Sequence, residues 1–193
     1  MDVVIIDYGA GNIQSIRFAF ERMGIHPELS DSAERISRAD RVIFPGVGEA
    51  ASAMAKLQRS GLDTLLPELQ QPVLGICLGM QLMCRYSEEG DTPGLGIFDT
   101  VVRRFTPGLK VPQIGWNNIS NLKSPLFKGV EEGSYIYLVH SYYAPLCPET
   151  VAESDYGLAY SAALARENFY GVQFHPEKSS RVGAKILQNF IEL

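Results

Sequence analysis

Val73-Leu74-Gly75-Ile76-Cys77-Leu78-Gly79 is a short apolar strand that runs directly into Gly-x-Cys-x-Gly. Glycines at 75 and 79 carry no Cβ, so the chain can turn sharply from strand to helix and lift the Cys77 sulfur clear of a sheet. A thiol placed there sits at the start of a helix, whose dipole favours thiolate. The next amide, Leu78 N–H, can face an oxyanion. The competing reading is a free cysteine packed as a small hydrophobe, the usual fate of that residue.

Two more uniformly apolar runs, Val3 to Ile6 and Val42 to Phe44, resemble the one before Cys77. Runs without alternation suit strands buried on both faces of a parallel sheet. Between the first two lies a helical pattern, Ile13, Ile16, Phe20 and Met23, stopped by Gly24. A second helix is expected over Ala51 to Leu57 and a third from Cys77 through Met83. Such alternation predicts right-handed βαβ units and an α/β fold: an open, mixed, mainly parallel sheet flanked by helices. Thr100 to Phe105, Gln113 to Ile119 and Tyr135 to Val139 read as shorter strands of a mixed or antiparallel extension. Phe169 to Phe174 returns as a core strand. Val182, Ile186, Leu187, Phe190 and Ile191 form the stripe of a closing helix. With no repeat or long linker, the 193 residues read as one domain, 1–193.

Seventeen basic against 22 acidic residues give a net charge of −5, with the positive charges scattered. That argues against nucleic acid as a partner. No apolar run approaches the roughly 20 residues of a membrane helix. Met1-Asp2 leads straight into the first strand with no basic n-region, so a cleavable leader is not expected. Three cysteines without C-x-x-C spacing speak against a disulfide framework or structural zinc, and for a reducing cytoplasm. Metal ligation finds no H-x-x-x-H pair or Cys/His cluster. Gly9-x-Gly11 invites a dinucleotide reading, but the third glycine of that fingerprint would fall at Gln14, so no such cofactor is expected.

Ligands of open α/β sheets bind beyond the carboxyl ends of the strands. Four such ends carry unusual chemistry: Asp7-Tyr8-Gly9-Ala10-Gly11-Asn12, Pro45-Gly46-Val47-Gly48, Cys77-Leu78-Gly79 and His175-Pro176-Glu177. A thiol nucleophile needs a base, and His175 is the candidate among three histidines. His26 reads as surface and His140 as a weaker rival. If strand geometry persists through Pro176, Glu177 projects to the same side as His175 and can orient the imidazole. A surface ion pair after an edge strand is the alternative. The Pro45–Gly48 loop is either a plain turn or a source of backbone N–H groups for an oxyanion, and only a loop beside Cys77 could be the second.

Gly75-Ile76-Cys77-Leu78-Gly79-Met80-Gln81, Pro45-Gly46-Val47-Gly48 and Phe174-His175-Pro176-Glu177 together resemble the class I, triad-type glutamine amidotransferases, over effectively the whole chain. Asp7–Asn12, Ile114-Gly115-Trp116-Asn117, Val139-His140-Ser141-Tyr142 and Lys178-Ser179-Ser180 narrow the resemblance to the glutaminase subunits of imidazole glycerol phosphate synthases, of histidine biosynthesis. Ile114 departs from the Met more often expected before Gly-Trp-Asn, a conservative apolar change. The resemblance implies a flavodoxin-like sheet and glutamine hydrolysis by Cys77, His175 and Glu177. It implies oxyanion donors at Leu78 and at Val47 or Gly48, and a glutamine pocket of Gly46, Gly48, Gln81, Glu89, Ser141 and Tyr142. It also implies a heterodimer with a (β/α)₈-barrel cyclase that receives the ammonia, with Asn12, Trp116, Tyr137 and Lys178 towards that partner. For Trp116, set in a Gly-Trp-Asn turn, a core anchor is the competing role. Three other readings stay open: a glutaminase serving another synthase, a free-standing cysteine hydrolase, and a non-catalytic α/β binding module.

Overall fold

A computed structural model describes residues 1–193 apart from Ala10 and Pro107, so Ala10 of the Asp7–Asn12 segment lies outside the described residues. The first half alternates strand and helix. β1 (Val3–Ile6), α1 (Ile13–Glu21), β2 (Glu28–Ser30), α2 (Ala33–Arg38) and β3 (Arg41–Phe44) come first, followed by α3 (Ala50–Ser60) and α4 (Leu62–Leu65). β4 (Val73–Ile76) then runs into α5 (Leu78–Met83). Short strands follow: β5 (Cys84–Ser87), β6 (Thr92–Pro93), β7 (Phe98–Arg104), β8 (Gln113–Asn118), β9 (Tyr135–His140) and β10 (Tyr142–Tyr143). β11 (Thr150–Asp155), β12 (Ala159–Arg166) and β13 (Phe169–Val172) precede the closing helix α6 (Ser180–Glu192).

The main sheet has seven strands in the order β11-β12-β13-β4-β3-β1-β2. From β13 to β2 every pairing is parallel, while β11–β12 and β12–β13 are antiparallel. The sheet is therefore mixed and mainly parallel, as the apolar runs imply. Alternation sends Val4 and Ile6 of β1 into one core with Met54 and Leu57 of α3. Val3 and Ile5 enter the opposite core with Phe20 of α1 and Ile186 and Phe190 of α6. Both faces are covered, so every position of β1 is apolar. Full burial of each such side chain stabilises the fold by about 1.5–3 kcal/mol. No helix among the described residues is long and apolar enough to cross a membrane.

The middle of the chain builds separate sheets rather than extending the main one. β10-β7-β5-β6 form a four-stranded sheet, and β8 and β9 an antiparallel pair. Trp116 therefore lies within strand β8, opposite Tyr137, and not in a turn. The positive φ of Gly115 (126°) gives the Gly-Trp-Asn segment its turn-like look. Trp116 is 54% exposed, which overturns a core-anchor role.

Candidate active site

The four strand ends meet on one rim. A cavity of about 370 Å³ opens there, within the ordinary size range of small-molecule sites. Cys77, Leu78, Val47, Gly48, His175 and Gln81 line it. Glu89, Ser141, Tyr142, Asn12 and Lys178 also reach it.

Cys77 is the elbow itself, with φ 55° and ψ −112°, a conformation that costs a non-glycine residue roughly 1–3 kcal/mol. Its backbone is held on both sides. Cys77 N–H donates to Val172 O of β13 at 2.8 Å, and its carbonyl accepts Gln81 N–H at 3.2 Å as α5 begins. The Pro45–Gly48 loop is interlocked with this turn. A Cβ on Gly79 would fall 2.1 Å from Phe44 O, and one on Gly46 would fall 2.5 Å from Gly79 N. The loop therefore lies beside Cys77, the placement an oxyanion donor needs. Gly46 itself is buried, packed against Leu78 and Gly79. Val47 and Gly48 are exposed at the rim.

The loop is also tied down at both ends. Tyr8 donates its hydroxyl to Pro45 O at 3.0 Å, and a Cβ on Gly11 would meet the Pro45 ring at 3.0 Å. At the far end, Glu49 caps α3 by accepting from Ala51 N and Ser52 N, while Glu89 accepts from Ala50 N at 3.0 Å. Half-buried Glu89 has its pKa raised, first by burial and further by the charge of Glu49, against the lowering effect of the Ala50 N–H.

His175 and Glu177 do not share a side through strand alternation. The chain leaves β13 at Val172, and Pro176–Lys178 forms a single 3₁₀ turn. That turn folds Glu177 Oε1 to 2.9 Å from His175 Nδ1. Their side chains are 6% and 0% exposed, so the surface-pair alternative fails and Glu177 sits behind the cavity wall. Nδ1–H donated to the carboxylate leaves Nε2 for the sulfur. His175 N–H also donates to Tyr137 O, fixing the turn against β9. Burial works to lower the His175 pKa. Hydrogen bonds and charge from Cys77 and Glu177 outweigh it and raise the pKa to about 10.

His140 lies in the same wall but is a different kind of group. Its ring nitrogens lie 2.7 Å from Tyr142 O and 2.9 Å from Gln113 Oε1. Burial, and then the charge of His175, push its pKa down to about 4 against the raising effect of the Tyr142 carbonyl. It is a neutral structural imidazole at pH 7. Trp116 and Tyr137 lie outside the cavity, their rings edge-on at 5.8 Å on the β8–β9 pair. Sequence reasoning passed over Gln173, fully buried, whose Nε2 lies 3.8 Å from Cys77 Sγ. It follows the last residue of β13, Val172, and nothing in the sequence singles it out. Nothing in the Asp7–Asn12 segment singles out Tyr8 before its partner is seen.

Residues 4–193 match the family described as glutamine amidotransferase class-I. The chain is 55% identical to the imidazole glycerol phosphate synthase subunit HisH of Bacteroides fragilis strain YCH46, over all of both chains. It is 47% identical to the subunit of that name from Haemophilus influenzae strain Rd, over all of this chain and 98% of the relative. Its fold is similar to a putative GMP synthase subunit from Thermoplasma acidophilum, with a TM-score of 0.78 at 19% identity, covering 100% of this chain and 92% of that one. PurLQS from Thermotoga maritima gives 0.73 at 17% identity, covering 99% and 97%.

Proposed function

The chain belongs to the class I glutamine amidotransferases, and we propose that it is the glutaminase subunit of an imidazole glycerol phosphate synthase in histidine biosynthesis. Residues 1–193 act as one cytoplasmic glutaminase domain. The observation that carries the reading is the convergence of Cys77, His175 and the Pro45–Gly48 loop on one cavity, with Glu177 buried behind His175.

The chemistry follows from where the proton rests. In the reaction His175 takes the Cys77 proton and holds it, its pKa raised to about 10. The thiolate attacks the side-chain carbonyl carbon of glutamine. Leu78 N–H and an amide of Val47 or Gly48 receive the oxyanion, and one such donor is worth about 2.7–4 kcal/mol. His175 then gives its proton to the departing nitrogen, which leaves as ammonia, and a γ-glutamyl thioester remains on Cys77.

His175 has then given up its proton and lost the sulfur that helped to raise its pKa, so the neutral imidazole acts as a base. It takes a proton from water, the thioester is hydrolysed, and glutamate leaves as the thiolate re-forms. Glu177 keeps the tautomer correct throughout. Gln81, Glu89, Ser141, Tyr142 and Gly48 hold glutamine, with Glu89 supplying the negative charge an α-ammonium group needs.

The ammonia passes to a (β/α)₈-barrel cyclase subunit in a heterodimer, which makes imidazole glycerol phosphate and aminoimidazole-carboxamide ribotide. Asn12 and Lys178 at the cavity mouth face that partner, with exposed Trp116 and half-buried Tyr137 of the β8–β9 pair. The test is glutamate release from glutamine by the chain alone and with the barrel carrying its nucleotide, using Cys77→Ala as blank. Release that needs Cys77 and rises with the liganded barrel supports the reading. Release that ignores the barrel keeps the glutaminase and removes the pathway.

A further inference from the structure

Gln173 has no surface exposure, and both ends of its amide are committed to the active site. Its Oε1 accepts from Gln81 Nε2 at 2.8 Å, and its Nε2 donates to Cys77 Sγ at 3.8 Å. A neighbour fixes which end is which. Gln81 Nε2 also donates to the Tyr142 carbonyl at 2.9 Å, and a carbonyl can only accept. Gln81 must therefore turn its NH₂ towards Gln173, which must answer with oxygen. The Gln173 NH₂ is left facing the sulfur. Among the described residues that sulfur is its hydrogen-bond partner, so a buried polar group that would otherwise be costly is retained at the nucleophile. The ladder bond from Gln173 N–H to Ala162 O, 2.9 Å, holds the backbone in place.

We propose that Gln173 is a catalytic residue of this glutaminase: its side-chain N–H binds the Cys77 sulfur as the anion, while its oxygen locks Gln81 in the glutamine pocket. One amide thereby couples the group that attacks to a group that holds the substrate. The donor acts twice. It stabilises the thiolate before attack, and it stabilises the same thiolate as the leaving group when the thioester breaks down. His175 supplies charge and a proton at the sulfur, and Gln173 supplies a fixed neutral donor. This rests on the assignment of Cys77 as nucleophile.

The test is the pH dependence of Cys77 alkylation by iodoacetamide, mapped to its peptide, which needs neither glutamine nor partner. Gln173→Met keeps length and apolar volume but removes the donor. Its alkylation midpoint should rise by roughly one to two pH units relative to the parent chain, the range expected for a hydrogen bond to a charged atom. Acid-quenched turnover should also retain more γ-glutamyl adduct than the parent. If Gln173→Met unfolds, Gln173→Glu keeps the acceptor for Gln81 and sets a carboxyl at the sulfur, which should raise the midpoint further. A folded variant with the parent's midpoint and no extra adduct overturns the role of Gln173 and leaves Cys77 as nucleophile. A parent chain whose Cys77 alkylates like an ordinary thiol and releases no glutamate overturns both.

Discussion

Tyr8 and Pro45 are joined across two strand ends: the buried Tyr8 hydroxyl donates to the Pro45 carbonyl at 3.0 Å. Burial, and then the charge of Cys77, push the Tyr8 pKa up, so this donor keeps its proton through the working pH range. The bond ties the loop after β1, which carries Asn12, to the loop after β3, which carries Val47 and Gly48. The segment proposed to face the partner and the one proposed to face the oxyanion thus share one hydrogen bond.

Tyr8→Phe keeps the ring packed against Phe44, centroids 5.6 Å apart, and removes the donor. A buried carbonyl left without its partner should cost about 1–3 kcal/mol, read from urea unfolding. Glutaminase kcat should fall while the circular dichroism spectrum is unchanged. An unaltered midpoint and kcat would sever the two loops.

Val47→Pro removes one rim N–H at an exposed position and takes no side chain from the core. If that amide meets the oxyanion, kcat should drop about 10²–10³-fold with little change in KM. A kcat within a few-fold of the parent would assign the donor to Gly48 instead.

Stability should fall on both sides of neutrality, for opposite reasons. The native state keeps the His175 proton to about pH 10, whereas an unfolded histidine releases it near 6.5. Its contribution is complete below about 6.5 and is lost as pH rises through about 10. His140 stays neutral in the native state down to about 4, so its contribution is complete above 6.5 and is lost as pH falls through about 4. Urea midpoints across pH 4 to 10 should show both limbs. His175→Gln should flatten the alkaline limb and His140→Gln the acid one. A substitution that leaves its own limb intact would refute that assignment.

Trp116→Ala should leave the fold's stability within about 0.5 kcal/mol, as surface positions do. Binding to the cyclase barrel should weaken by about 2 kcal/mol or more, read by calorimetry. The reverse pattern would return Trp116 to a structural role.

In the parallel half of the sheet β1, β4 and β3 beyond Arg41 were legible because they are buried on both faces and apolar, whereas the polar edge strand β2, Glu28–Ser30, was not. β11 and β12 were not, because Thr150–Asp155 carries Glu153 and Asp155, and Ala159–Arg166 is rich in alanine, a helix former. Cys77 and the Pro45–Gly48 loop were readable from local backbone demands: a sharp elbow and a close approach each call for glycine. The His175–Glu177 contact was read with the right partners by the wrong geometry, since proline after a strand is compatible with extension and with a 3₁₀ turn alike. Gln173 escaped because a lone glutamine announces nothing until its neighbours in space are known.

The most direct measurement is reaction with a diazo-ketone analogue of glutamine, followed by peptide mapping. One adduct is expected, on Cys77, slowed by glutamine and abolished in His175→Asn, with buried Cys84 and half-buried Cys147 unmodified. An adduct on Cys147, or no adduct while the chain still releases glutamate, would contradict Cys77 as the nucleophile.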